Sequence, residues 1–247
     1  MPLDARTAFE AGVRHEASGE ERSALDAYRN AVRRSPEYVD AHRAIQNLLL
    51  GQRRRGHLIR EYREFLAEAP GSAPRRYLLG RLWSDPRRQL AGFEDALLAD
   101  PSLYFGHVGT GYVALEIGDR LRAERAFREA IALEPGRVEA LHGLLRVLSL
   151  RGAGEAAAEA EQLAERLLDR DPGDALAQRI RLSRGIERGE GRDACREVVR
   201  FVLSAPSEEA VNLAIEVLSA YGTPADFDRA RALLGSTPSV DVPSWWR

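Results

Sequence analysis

The chain has 247 residues, 44% of them hydrophobic and 30% charged, with a formal net charge of −2. That composition excludes wholesale disorder, and the near-neutral balance removes the overall basic field that draws proteins to nucleic acid or anionic membrane. No apolar run approaches the roughly twenty residues of a membrane-spanning helix, the single cysteine, Cys195, rules out an intramolecular disulfide, and all 36 basic residues are arginine, which removes every mechanism that needs a lysine.

The N-terminal segment brings Asp4, Arg6 and Glu10 early and has no apolar stretch of signal-peptide length, so the expected location is cytoplasmic. A GC-rich genome is the simplest source of the missing lysine. Arginine also gives the surface planar forks that pair bidentately with carboxylates and stack on aromatic rings.

Prolines set a register along the chain. Pro36, Pro70, Pro101, Pro135, Pro172 and Pro206 are separated by 34, 31, 34, 37 and 34 residues, by subtraction of their numbers. The first unit, about 5–38, carries Ala11-Gly12, Gly19, Ala24, Tyr28, Ala31 and Pro36. The second, about 39–72, keeps Ile45, Leu49, Tyr62 and Pro70 but has Phe65 at a position that is small elsewhere, which predicts wider packing. The third, about 73–103, has Leu79-Gly80, Trp83, Phe93, Ala96 and Pro101, and its three missing residues are expected in a tight turn at Ser84-Asp85-Pro86.

The fourth unit, about 104–137, shows Gly111, a Gly118-Asp119 turn, then Ala123, Phe127, Ala130 and Pro135. The fifth, about 138–174, has Leu141, Leu144, Leu148 and Gly152, and its three extra residues predict a second helix that starts early and runs long. The sixth, about 175–208, carries Gly189-Glu190, Ala194, Val198 and Pro206, with Arg181 and Leu182 at the usual Leu-Gly place. The seventh, about 209–234, has Ile215 and Leu218, lacks the closing proline and reads as a terminal cap. Thr223-Pro224-Ala225-Asp226 is a helix start, with Thr as N-cap and Pro at the first helical position.

These positions resemble the tetratricopeptide repeat, whose unit is two helices with small and aromatic residues at fixed places, closed by Pro. The resemblance implies an all-α fold, a right-handed α-α superhelix of about 14 helices forming one domain over residues 1–234, followed by an extended tail. It also implies that the first helices line a concave groove at defined positions. Those positions hold Phe9, Val13, Arg43, Asn47, Tyr77, Arg81, Phe105, Tyr112, His142, Arg146, Arg179 and Ser183. Arginines interleaved with aromatic rings suit an acidic or C-terminal peptide or an amphipathic helix of another protein. Arg43 and Asn47 resemble one pair of the carboxylate clamp of chaperone-binding members of the family, with Leu78 where a further Asn would complete it.

Catalytic chemistry finds no support. His15, His42, His57, His107 and His142 never form an i, i+4 pair, Cys195 lies in a second helix as a buried thiol does, and Gly106, Gly109 and Gly111 fall in a first helix as packing positions. No cofactor and no metal are expected. The irregular spacing and the charge argue against an RNA-reading code. After Leu234 the composition changes to GSTPSVDVPSWWR, and Trp245 and Trp246 expect a receiving surface: the open end of the last repeat, the groove of this or another copy, or a partner protein. The function expected is that of an adaptor or assembly factor, with a dedicated chaperone-like or regulatory subunit as the alternative.

Overall fold

A computed structural model describes residues 2–51, 54–151 and 154–235, the side chains as far as Ala232. Among them are fourteen helices and no strand. The chain divides into two compact units, Met1–Gly136 and a second from Arg137 onward.

The first unit consists of α1 (Leu3–Ala17), α2 (Glu21–Arg34), α3 (Val39–Gly51), α4 (Arg55–Glu68), α5 (Ala73–Gly80), α6 (Pro86–Ala99), α7 (Tyr104–Glu116) and α8 (Arg120–Leu133). The helices pair in sequence. Within three of the pairs a glycine of the first helix receives the aromatic ring of the second. A Cβ on Gly12 would lie 2.4 Å from Tyr28 Cε1, one on Gly80 3.2 Å from Phe93 Cδ1, and one on Gly111 2.6 Å from Phe127 Cε1. Of the glycines expected to serve packing, Gly109 and Gly111 face the buried rings of Phe93 and Phe127, and Gly106 faces the Leu97 side chain.

The second pair is built differently. α3 and α4 approach each other less closely than the helices of the flanking pairs, as Phe65 predicts. The Phe65 ring lies 5.0 Å from that of His42, and the Arg75 guanidinium stacks 3.9 Å above it. His42 is buried and fully bonded, with Nε2 donating to the Pro36 carbonyl and Nδ1 accepting from the Tyr62 hydroxyl, each at 2.8 Å. Burial holds its pKa below the ordinary imidazole value, so it serves as a neutral core strut.

The third pair corrects the expectation of a tight turn. α5 has only 8 residues where α7 has 13, and the connection from Arg81 to Asp85 is longer than the Ile117–Asp119 turn. The missing residues are taken from the helix. Positive-φ glycines end the first helices at Gly19, Gly118 and Gly189, and α5 has no counterpart. Side chains capture the released carbonyls instead: Gln89 Nε2 bonds Trp83 O at 2.6 Å, and Arg55 Nη1 bonds Leu82 O at 2.9 Å. Asp85 then accepts from the Arg87 N–H, with Pro86 at the first position of α6.

The second unit comprises α9 (Val138–Ser149), α10 (Glu155–Leu168), α11 (Ala175–Glu187), α12 (Gly191–Ser204), α13 (Glu208–Tyr221) and α14 (Pro224–Gly235). Here too one expectation is corrected. α10 has 14 residues, the same as α8, and neither starts early nor runs long. The surplus lies in the connections, where Gly154 at φ 65° sets the start of α10 and Asp169–Asp174 precede α11. Gly152 lies outside the described residues. Val198, Val202, Ala214 and Leu218 form the centre of a core that α12, α13 and α14 share. Thr223 and Asp226 cap α14 reciprocally: the Thr223 hydroxyl donates to Asp226 Oδ2 at 2.6 Å, and the Asp226 N–H donates to Thr223 Oγ1 at 3.4 Å.

Candidate functional site

In the first unit α3, α5 and α7 bring Arg43, Tyr77, Arg81 and Tyr112 together around one cleft of about 270 Å³. Helical periodicity places them there: Arg43 and Asn47 are one turn apart on α3, and Arg81, the residue that caps the end of α5, follows Tyr77 by one turn. Tyr77 and Phe105 are only 2% and 6% exposed, so they lie beneath the surface of the cleft. Their rings stack at 5.9 Å, and the Arg43 guanidinium stands 4.4 Å from the centre of the Phe105 ring. Tyr112 is half-buried and rests edge-on against Phe127 at 5.0 Å.

Arg81 is held by amide oxygens. Its Nη1 donates to Gln46 Oε1 at 2.7 Å and its Nη2 to Asn47 Oδ1 at 2.9 Å. Gln46 is fully buried, and its own Nε2 donates to Leu78 O at 2.9 Å, which fixes the amide so that its oxygen faces the guanidinium. No carboxylate of the described residues forms an ion pair with Arg81. Burial, and then the neighbouring Arg43 charge, pull its pKa below the ordinary guanidinium value, while Tyr77 and Tyr62 act in the opposite sense. The group remains a cation. Arg43 has Asp40 at 3.8 Å, and Glu116 is the acidic side chain that lines the cleft itself.

Four predicted positions lie in the second unit. Arg179 and Ser183 border a cleft of about 290 Å³ between α11 and α13, where Arg179 Nη1 donates to Glu216 Oε2 at 2.5 Å. Arg146 is exposed on α9. His142 bonds the Asp174 carboxylate, which also accepts from the Ala177 N–H at 3.0 Å and so caps α11. The hydrogen bond to Asp174 raises the His142 pKa against a smaller opposing effect of burial. Phe9 packs between Tyr28 and Tyr38, whereas Val13 is 45% exposed. Trp245 and Trp246, and with them the expected tail contacts, lie outside the described residues.

Sequence reasoning missed Gln46, which fixes Arg81 from behind, and Gln89, which lines the cleft and holds the Trp83 carbonyl. The signal for Gln46 was a buried-type position, one turn from Arg43, occupied by an amide. It also missed a second hollow around Trp83, which the family's groove positions do not include. Among the described residues no group of three His, Cys, Asp or Glu is placed to hold a metal ion, and no helix is long and apolar enough to cross a membrane.

Paired helices, glycine-to-aromatic packing and proline-closed units define a tetratricopeptide-repeat fold. No protein-family model matches the sequence, nor does any curated protein. Solved structures do match it. A tetratricopeptide repeat protein from Parabacteroides merdae is similar over 99% of this chain and 96% of its own, with 17% identity and a TM-score of 0.53. PilW, a widely conserved type IV pilus biogenesis factor, covers 86% of this chain and 99% of its own at 19% identity and a TM-score of 0.59. YrrB, a tetratricopeptide protein with an unusual peptide-binding site, covers 71% and 93% at 17% identity and a TM-score of 0.55. The likeness is one of fold.

Proposed function

We propose that this chain is a protein-interaction adaptor that seats an acidic or C-terminal segment of another protein in the cleft between α3, α5 and α7. The observation that carries the reading is Arg81: a half-buried guanidinium fixed by two amide oxygens, with no carboxylate partner among the described residues, at the wall of an open cleft. A buried cation held only by neutral groups is expensive, and a ligand carboxylate that completes it recovers part of that cost. Arg43 adds a second positive charge, and Tyr112 supplies apolar surface for the side chains that precede the carboxylate. The cytoplasm is the compartment proposed for this exchange.

The Arg179–Ser183 cleft differs in that its arginine already has Glu216 as a partner. The acidic ligand is therefore assigned to the first unit.

The test is a fluorescence-anisotropy titration with a labelled peptide ending in Asp, Glu and Tyr, bearing either a free or an amidated C-terminus. Wild type binds the free acid, and Arg81→Gln weakens binding by tenfold to a hundredfold, the range expected for a lost charge-assisted hydrogen-bond pair of about 1.5–3 kcal/mol. Equal affinity of Arg81→Gln and wild type overturns the assignment.

A further inference from the structure

The hollow around Trp83 lies on the other side of α5 from the Arg81 cleft. Tyr77 and Arg81 point to one side of that helix, while Arg76 and Leu79 lie about 150° around it at 100° per residue. The hollow measures about 360 Å³, larger than the 270 Å³ of the Arg81 cleft. Its floor is backbone. α5 and α6 cross at Gly80 and Gly92, where a Cβ on Gly92 would lie 2.9 Å from Gly80 Cα, so the two backbones touch and both glycines line the hollow. Leu66, Leu79 and Trp83 make apolar walls.

Charge around this hollow is unbalanced. The Arg88 guanidinium stands 3.6 Å and that of Arg63 5.4 Å from the centre of the Trp83 ring. Arg76 Nε donates to Pro70 O at 3.0 Å. None of the three forms an ion pair with a carboxylate of the described residues, although elsewhere Arg75, Arg122, Arg181 and Arg188 all do. Asp95 is the acidic side chain in the lining. Cations stacked on an indole keep their outer N–H groups for a ligand, and the ring holds the guanidinium planes in position.

We infer that the Trp83 hollow is a second docking site, which takes an acidic segment of a partner protein that inserts one apolar side chain over Gly80 and Gly92 while its carboxylates meet Arg63, Arg76 and Arg88. Charge complementarity selects the partner, and the glycine floor selects the anchor. An adaptor joins two proteins only if it has two separate seats. The inference rests on the adaptor reading for its purpose but not for its geometry, since the two clefts use different side chains.

The experiment uses the full chain with Trp245→Phe and Trp246→Phe, which leaves Trp83 as the remaining one of the three tryptophans. An acetylated and amidated peptide of Asp and Glu flanking a single Leu is titrated while Trp83 emission is followed. The expected result is a saturable emission change whose dissociation constant rises at least about tenfold in Arg63→Gln/Arg88→Gln and is unmoved in Arg81→Gln. Arg63 and Arg88 are exposed, so the double variant is expected to fold. No emission change, or an unaltered constant in the double variant, overturns the inference. A change reproduced equally by inorganic sulfate or by poly(U) also overturns it. Loss of the response in Arg81→Gln assigns the peptide to the other cleft, which sinks this inference and leaves the function proposed above intact.

Discussion

Replacing Gly111 by Ala tests whether glycine-to-ring packing holds the first unit together. Ala is the better helix former by about 1 kcal/mol, so a solvent-facing helix position would gain from the change. At Gly111 the new methyl would lie 2.6, 2.7 and 2.9 Å from three atoms of Phe127, a residue with no exposed surface. The ring has nowhere to retreat, and overpacking of this kind costs about 1–3 kcal/mol or more. With the helix-propensity gain subtracted, the net expectation is a loss of up to about 2 kcal/mol. Tyr112, edge-on to Phe127, is displaced with it, so the Arg81 cleft is altered as well. Gly56 on α4 is the control, because nothing lies within 4 Å of a Cβ built there. Gly56→Ala should stabilise by about 0.5–1 kcal/mol. Urea denaturation followed by circular dichroism measures both. Shifts of the same sign refute the packing argument.

Two histidines give the units opposite pH responses. His42 has a folded pKa below its unfolded value of roughly 6.5, so its contribution is present above that value and is lost as pH falls through the folded pKa. His142 has a folded pKa raised above the same reference, so its contribution is complete below pH of about 6.5 and disappears as pH rises through the raised value. Denaturation against pH should show His42→Asn removing an acid-side loss and His142→Asn removing an alkaline-side loss; identical profiles for the two variants contradict this. Cys195 is 1% exposed with its pKa raised by burial, so a thiol reagent should label it at the rate at which the second unit opens, accelerated by urea. Fast labelling without denaturant is the contrary result. Gln46→Ala removes the anchor of Arg81 without touching a ligand, and should weaken peptide binding by about tenfold while Leu78 O loses its donor. Unchanged binding in that variant shows that Arg81 holds its position unaided.

Much of this architecture can be read from the sequence because its causes are local. Gly12 with Tyr28 and Gly111 with Phe127 recur at one spacing, and a proline closes each unit through Pro206. Thr223-Pro224-Ala225-Asp226 carries its own capping chemistry. The errors arose where length changes had to be placed. A deletion of three residues looks the same in sequence whether it shortens a turn or a helix, and only the arrangement of Gln89 and Arg55 on freed carbonyls decides for α5. The three extra residues before Pro172 are equally ambiguous, and Gly154 with its positive φ fixes the start of α10. For the cleft, the resemblance to the tetratricopeptide repeat assigned Arg43, Tyr77, Arg81 and Tyr112 to one groove. It could not show that Tyr77 and Phe105 sink below the surface, since that depends on how closely α5 and α7 stand. The Trp83 hollow escaped because its cause, the Gly80–Gly92 crossing, joins residues on two helices whose contact is set by the short α5.

The adaptor account is tested most directly by placing a photo-crosslinking amino acid at Tyr112 in the cleft and, separately, at Leu121, which is 68% exposed on α8. The account predicts a discrete covalent adduct from position 112 in cells, absent from position 121 and suppressed by excess peptide carrying a free C-terminal carboxylate. The same adducts from both positions, or an adduct at 112 indifferent to that peptide, would contradict it.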